Sequence, residues 1–236
     1  MKKTFAILYI SLLLALLPTV TAVAATPEES FRKSFPAIHA DSIKPTPVAG
    51  LYEVTVGSQI VYYVPGQEYL IYGPIVTSKG ENLTEKRSAE LIGIKLKAAP
   101  LDKAIRIGNG KHQIVEITDI DCPYCRKASA YLAGRKDLTR YVFLLPAASH
   151  KDAKAKTLQV FCAADPAKAY EEAMAGKLDD MKLSPCKAPA AAEELLKAHQ
   201  EIGRQVGVTG TPLFLIDGQV VLGADMARIE KILNAK

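Results

Sequence analysis

The apolar positions of this chain change texture along its length. One run, Phe5 to Leu17, follows the charged start Met1-Lys2-Lys3 and stops at Pro18. From Glu28 to about Gly80, short stretches rich in Val, Ile and Tyr alternate with turn residues. Leu51–Val56, Ile60–Val64 and Tyr69–Tyr72 are punctuated by Gly57-Ser58, Pro65-Gly66 and Gly73-Pro74. That spacing predicts short strands behind a helix over about Pro27–Phe35, a small α+β unit. A unit of about 55 residues buries little core alone and often pairs with a copy of itself. Its tyrosines read as core and interface rather than chemistry.

Leu83 to about Lys97 predicts a helix in which charge is mixed throughout. Its apolar patch, Leu91, Ile92, Ile94 and Leu96, comes near the end. A weakly amphipathic helix between two domains reads as a solvated connector. Asn82-Leu83-Thr84 matches a glycosylation triplet and is taken as chance.

From about Lys103 the period shifts again. Ala104–Ile107 and Gln113–Thr118 read as strands around the turn Gly108-Asn109-Gly110. A helix follows to about Ala133, then a strand at Tyr141–Leu145. A broken helical stretch runs from Ala153 to Val206. Leu213–Ile216 and Gln219–Leu222 form a hairpin around Asp217-Gly218, and a helix over about Met226–Leu233 closes the chain. Strand–helix–strand, a helical excursion, then hairpin–helix is a thioredoxin-like order.

The first run changes what counts as the mature chain. A charged start, an apolar core of 13 residues and the small residues Thr21-Ala22-Val23-Ala24-Ala25 make a secretory signal peptide over 1–25. Cleavage is expected after Ala24 or Ala25. A membrane anchor is the alternative, but a spanning helix needs roughly 20 apolar residues. Removing Lys2 and Lys3 lowers the net charge of +5 to about +3, too mild to point to nucleic acid or an anionic membrane. The 4 cysteines all follow the leader. An even count in an exported chain favours disulfides.

Cys122-Pro123-Tyr124-Cys125 stands where a strand hands over to a helix. Two intervening residues bring both sulfurs to the first helical turn, where unpaired N–H groups and the helix dipole favour a thiolate. Pro123 suits the first helical position. Cys122 is therefore the candidate nucleophile, and Cys125 the thiol that resolves its mixed disulfide. A zinc half-site is the rival, but zinc needs two more ligands. Cys162 and Cys186 are not a second C-x-x-C, and no histidine is near them in sequence. A purely structural loop is the other alternative. No metal or cofactor is expected. Gly210-Thr211-Pro212, just before the hairpin, corroborates the redox reading. In thioredoxin-like proteins a cis proline here faces the C-x-x-C, and its neighbour's backbone pairs with the substrate chain. Thr211 and Pro212 thus join the candidate site; an ordinary trans proline opening a strand is the alternative.

Thr118–Cys125, Phe161-Cys162-Ala163-Ala164-Asp165 with Ala173–Lys177 and Cys186, and Gly207–Pro212 resemble the DsbC/DsbG family of periplasmic disulfide isomerases and reductases. Pro45–Leu51 resembles its N-terminal dimerisation domain. The resemblance covers essentially the whole mature chain. It implies a small α+β, cystatin-like dimerisation domain over 26–82 and a linker helix over 83–102. A thioredoxin-like α/β catalytic domain would follow over 103–236, with a helical insertion at about 150–206. It also implies a V-shaped periplasmic homodimer with the N-domains paired and the thioredoxin-like domains facing across a cleft, and misoxidised exported proteins as its clients. A membrane thiol reductase of the DsbD type would keep the C-x-x-C reduced. Cys122-Pro123-Tyr124-Cys125 looks like the DsbG side, whereas the pair Cys162 and Cys186 looks like the DsbC side. Both isomerase and reductase therefore stay open.

On that resemblance Cys162 and Cys186 form a structural disulfide, a second redox relay being the alternative. A bridge closing about 25 residues typically stabilises by roughly 2–4 kcal/mol. Glu116, six residues before Cys122, resembles the buried acid beneath the active disulfide of thioredoxins, placed to take the proton of Cys125. Its other reading is a strand-end glutamate reaching solvent. His39, His112, His150 and His199 look scattered. Two rivals to disulfide isomerisation are reduction of sulfenylated cysteines and a holdase that uses the dimer cleft.

Overall fold

The computed structural model describes residues 25–180 and 186–235. Residues 1–24 of the expected signal peptide lie outside the described residues.

Thr26 starts the first helix, α1 (Pro27–Ser34). Its hydroxyl accepts the Glu29 N–H at 3.2 Å, and Glu29 Oε2 accepts the Thr26 N–H at 2.8 Å. This helix buries Phe31 against an antiparallel sheet of β1 (Ser42–Pro45), β2 (Tyr52–Val56), β3 (Gln59–Val64) and β4 (Tyr69–Ile71), in that order. Phe31, Val54, Val61 and Tyr63 make its core, with Phe31 and Tyr63 edge-on at 5.2 Å between ring centroids. The sequence pattern does not predict β1. That strand is 4 residues long and ends in a proline; its pairing with β2, Ser42 opposite Thr55, is long-range.

Asn82 caps α2 (Leu83–Lys97) by accepting the Glu85 N–H at 3.0 Å. The first half of α2 is polar: Arg87 reaches Glu53 on β2 at 3.1 Å and Glu90 at 3.0 Å. Its second half corrects the reading of a solvated connector. Ile92 and Leu96 are buried in one core with Val115, Ile117, Leu213, Leu215 and Val220. Gly93 permits that approach, since a Cβ there would stand 3.2 Å from Val220 Cγ2.

The second sheet contains β5 (Ile105–Ile107), β6 (His112–Thr118), β7 (Leu138–Leu144), β8 (Leu213–Ile216) and β9 (Gln219–Leu222), in the order β5-β7-β6-β8-β9. β6 and β7 are parallel and all other pairs antiparallel. The helix α3 (Pro123–Ala133) carries the crossover that parallel pairing requires. The excursion forms α4 (Ala153–Phe161), α5 (Pro166–Met174) and α6 (Pro189–Val206), and α7 (Met226–Leu233) ends the fold. This is the expected thioredoxin-like order. Its central strand, β6, is covered on both faces. Ile114 packs with α3 and α7, and Val115 and Ile117 with α2 and α6. Asp217 and Gly218 both take positive φ, 47° and 85°, as a two-residue hairpin of the strand twist demands.

His199 on α6 is fully buried between the rings of Phe143 and Phe161. Its Nδ1 accepts the Leu144 N–H and its Nε2 donates to the Lys103 carbonyl, both at 2.8 Å. Burial holds its pKa below the ordinary histidine value. Below about pH 6.5 the unfolded chain therefore takes up a proton that the folded chain refuses. Stability is expected to be complete above that pH and to fall as pH drops toward the folded pKa. Denaturation midpoints between pH 7 and 5 check this. His199→Gln should flatten the slope, and an unchanged slope would assign the loss to other groups.

Candidate active site

The loop leaving the end of β6 delivers Cys122 to the N-cap of α3, with φ −77° and ψ 121°. Pro123 fills the first helical position, and the Cys122 carbonyl accepts the Arg126 N–H at 3.0 Å. No side chain caps this helix, and its first turn holds no acid. The field of its N-terminus therefore falls on sulfur rather than on a carboxylate. Both cysteines are free and buried, whereas Tyr124 between them is 65% exposed.

The second part of the site arrives from the far end of the chain. Thr211–Pro212 is a cis peptide at the start of β8, and Cys122 Sγ donates to the Thr211 carbonyl at 3.6 Å. Cys125 Sγ accepts the Asp119 N–H at 3.4 Å. Burial pushes the Cys125 thiol up to about 12, opposed by hydrogen bonds to the Thr118 and Thr211 side chains and the Asp119 backbone. Cys122, Cys125, Thr211 and Pro212 are thus brought together. Cys162 and Cys186 are bonded to each other at 5.3 Å between Cα atoms, joining the end of α4 to the segment before α6.

Glu116 is buried, not a strand-end residue reaching solvent. Its Oε1 accepts from Arg140 Nη2 at 2.8 Å and from the Tyr170 hydroxyl at 2.8 Å. Burial and the Glu116 charge push the Tyr170 phenol up, so it stays protonated and donates. The carboxylate thus couples β6 to β7 and α5.

Around the cysteines lies a charged frame that the sequence reading did not identify. Arg126, next after Cys125, donates to the Ile120 carbonyl at 2.7 Å, to Asp121 at 3.0 Å and twice to Asp179 at 2.6 and 2.7 Å. Lys156 from α4 bonds Asp121 at 2.6 Å and Asp179 at 2.7 Å. Those ion pairs hold Asp179 well below the usual carboxylate range. His150, taken as one of several scattered histidines, pairs with buried Asp119 at 2.8 Å. A basic residue beside Cys125 was the local hint; its partner at 179 left none. Among the described residues no three His, Cys, Asp or Glu side chains group as metal ligands, and no helix is long and apolar enough to cross a membrane.

Comparison with known proteins gives two family matches. Residues 19–85 match the disulfide bond isomerase protein N-terminal domain, and residues 101–235 match the thioredoxin-like domain. The chain is 30% identical over 232 residues to the thiol:disulfide interchange protein DsbC of Escherichia coli K12, covering 94% of this chain and 91% of that one. It is 32% identical over 197 residues to a probable thiol:disulfide interchange protein DsbC of Bordetella avium, covering 82% of this chain and 68% of the relative. The crystal structure of the thiol-disulfide exchange protein alpha-DsbA2 from Wolbachia pipientis shares the fold. Its TM-score is 0.51 at 14% identity, over 64% of this chain and 97% of that one.

Proposed function

This chain belongs to the DsbC family of thiol:disulfide interchange proteins and is a thiol:disulfide oxidoreductase, and from that premise we propose that Cys122 attacks non-native disulfides of exported proteins and that Cys125 resolves the product. The observation that carries this reading is the place of Cys122 at the N-cap position of α3, with its sulfur facing the Thr211 backbone. A thiolate there lies beside the unpaired backbone that leads into β8, along which a client chain can align. Attack joins Cys122 Sγ to one client sulfur and expels the other as a thiolate. That thiolate either attacks another client disulfide, after which a client thiolate displaces Cys122 from the mixed disulfide and frees it, which is isomerisation, or stays free. In the latter case Cys125 attacks Cys122 Sγ, the client leaves reduced, and Cys122–Cys125 becomes a disulfide. A membrane thiol reductase of the DsbD type would return that pair to the dithiol. We assign Glu116 to balancing the Arg140 charge rather than to taking the Cys125 proton, because its hydrogen bonds run to Arg140 and Tyr170.

The working location is the periplasm, and the working form is a homodimer through the N-terminal sheet. Tyr69, Ile71 and Tyr72, on and beside β4, are exposed apolar groups available for such pairing. Refolding a scrambled multi-disulfide protein tests the whole reading. The reduced full chain should raise the yield of native client. A fragment from Leu83 to Lys236, which keeps the α2 residues buried in the catalytic core, should sediment as a monomer. It should retain dithiol reductase activity and lose most isomerase activity. A dimeric fragment would refute the interface assignment. A full chain that reduces disulfides without recovering native client would leave reductase as the function.

A further inference from the structure

We propose that His150 is a positioning residue for the resolving cysteine: through the carboxylate of Asp119 it fixes the backbone N–H that faces Cys125 Sγ, and so governs how fast a bound client is released. This rests on the reading above, in which Cys125 resolves. Asp119 follows the last residue of β6, and its side chain is fully buried. It gathers donors from two stretches of chain. Oδ1 accepts the Asp121 N–H at 2.9 Å. Oδ2 accepts the Ala147 N–H at 2.7 Å and the His150 Nδ1–H at 2.8 Å. The loop after β7 leaves from beside the end of β6, with the Leu145 N–H on the Thr118 carbonyl at 2.8 Å. Two of the three donors to Asp119 are backbone groups that nearly any sequence supplies. His150, 29% exposed at the rim, is the side chain that makes the third.

The consequence is specific to one step. In the mixed disulfide Cys122 is bonded to the client, and Cys125 must give its proton to solvent before it attacks Cys122 Sγ. The Cys122–client bond then breaks, its electron pair leaves on the client sulfur, and the Cys122–Cys125 bond forms. Burial opposes ionisation of Cys125, so a donor held at its sulfur favours the thiolate. The earlier attack by Cys122 uses the helix N-terminus and not this N–H. Loosening Asp119 should therefore slow release and spare attack.

The test compares His150→Phe, His150→Ala and His150→Asn in the full chain. Rapid-quench kinetics with a fluorescent peptide disulfide as probe would separate formation of the mixed disulfide from its release. An asparagine amide can donate from near the Nδ1 position, whereas phenylalanine and alanine cannot. Phe or Ala should slow release about ten-fold, the scale of one hydrogen bond to a charged group. Formation should stay within about two-fold, and Asn should recover release. Wild-type release in the Phe or Ala variant overturns the proposal, as do equal losses in both steps or an Asn variant as slow as Ala. If Cys125→Ser traps no adduct on an otherwise unchanged chain, the reading of Cys125 has failed instead. Trapping there with wild-type release in the His150 variants sinks the His150 role alone.

Discussion

Cys122→Ser is expected to abolish both reduction and isomerisation of client disulfides, with a loss of roughly a thousand-fold or more. A hydroxyl at the α3 N-cap is as well placed as the thiol but is not ionised at neutral pH and is a poor nucleophile toward sulfur. Folding should be untouched, because serine is itself a favoured N-cap. Cys125→Ser should behave differently. Attack by Cys122 survives, the internal route of release is lost, and covalent client adducts accumulate on non-reducing gels. The two variants together test the division of labour. If Cys125→Ser loses attack as completely as Cys122→Ser, or if Cys122→Ser still forms adducts through Cys125, the assignment of nucleophile and resolving thiol is wrong. The double variant also separates enzyme from holdase. Suppression of client aggregation that persists without either thiol would belong to the surface of the molecule, not to the pair.

Breaking the pair beneath β7 should cost the most stability. Glu116 and Arg140 are 1% and 2% exposed, and among the described residues Arg140 Nε and Nη1 already lack partners. Glu116→Leu would leave a buried guanidinium without its anion, a loss of about 3–5 kcal/mol. For a chain of this size that lowers the melting temperature by roughly 10 °C. Replacing both partners with apolar residues, Glu116→Leu with Arg140→Met, should recover most of it, since neither charge then has to be desolvated. Thermal and urea unfolding of the single and double variants would measure the coupling. A single variant within about 0.5 kcal/mol of wild type would show that water reaches Arg140. The same set of variants bears on mechanism. A Glu116→Gln chain that folds normally but releases clients slowly would restore Glu116 as proton acceptor and overturn its assignment to charge balance.

What could be read from the chain alone was local. The cysteine spacing, Pro123 at the first helical position, the Asp217-Gly218 turn and the alternating apolar runs each act within a few residues, so their consequences follow from covalent geometry and hydrogen bonding near them. Thr118–Cys125 and Gly207–Pro212 also carried the family resemblance, and with it the meeting of the two ends of the site. Tertiary structure decided the rest. The second half of α2 is no solvated connector, because Gly93 lets Ile92 and Leu96 reach the sheet, which a weakly amphipathic pattern does not announce. Glu116 had two readings in sequence. The central place of β6 chose burial, and Arg140 from the parallel neighbour made burial tolerable. His150 looked scattered because its partner Asp119 is 31 residues away, and Arg126 finds Asp179 across 53. Such pairs come into reach only when β6 and β7 lie side by side and the helical excursion folds back over them. A side chain's period along its own element says which face it takes, and only the packing of elements says what waits there.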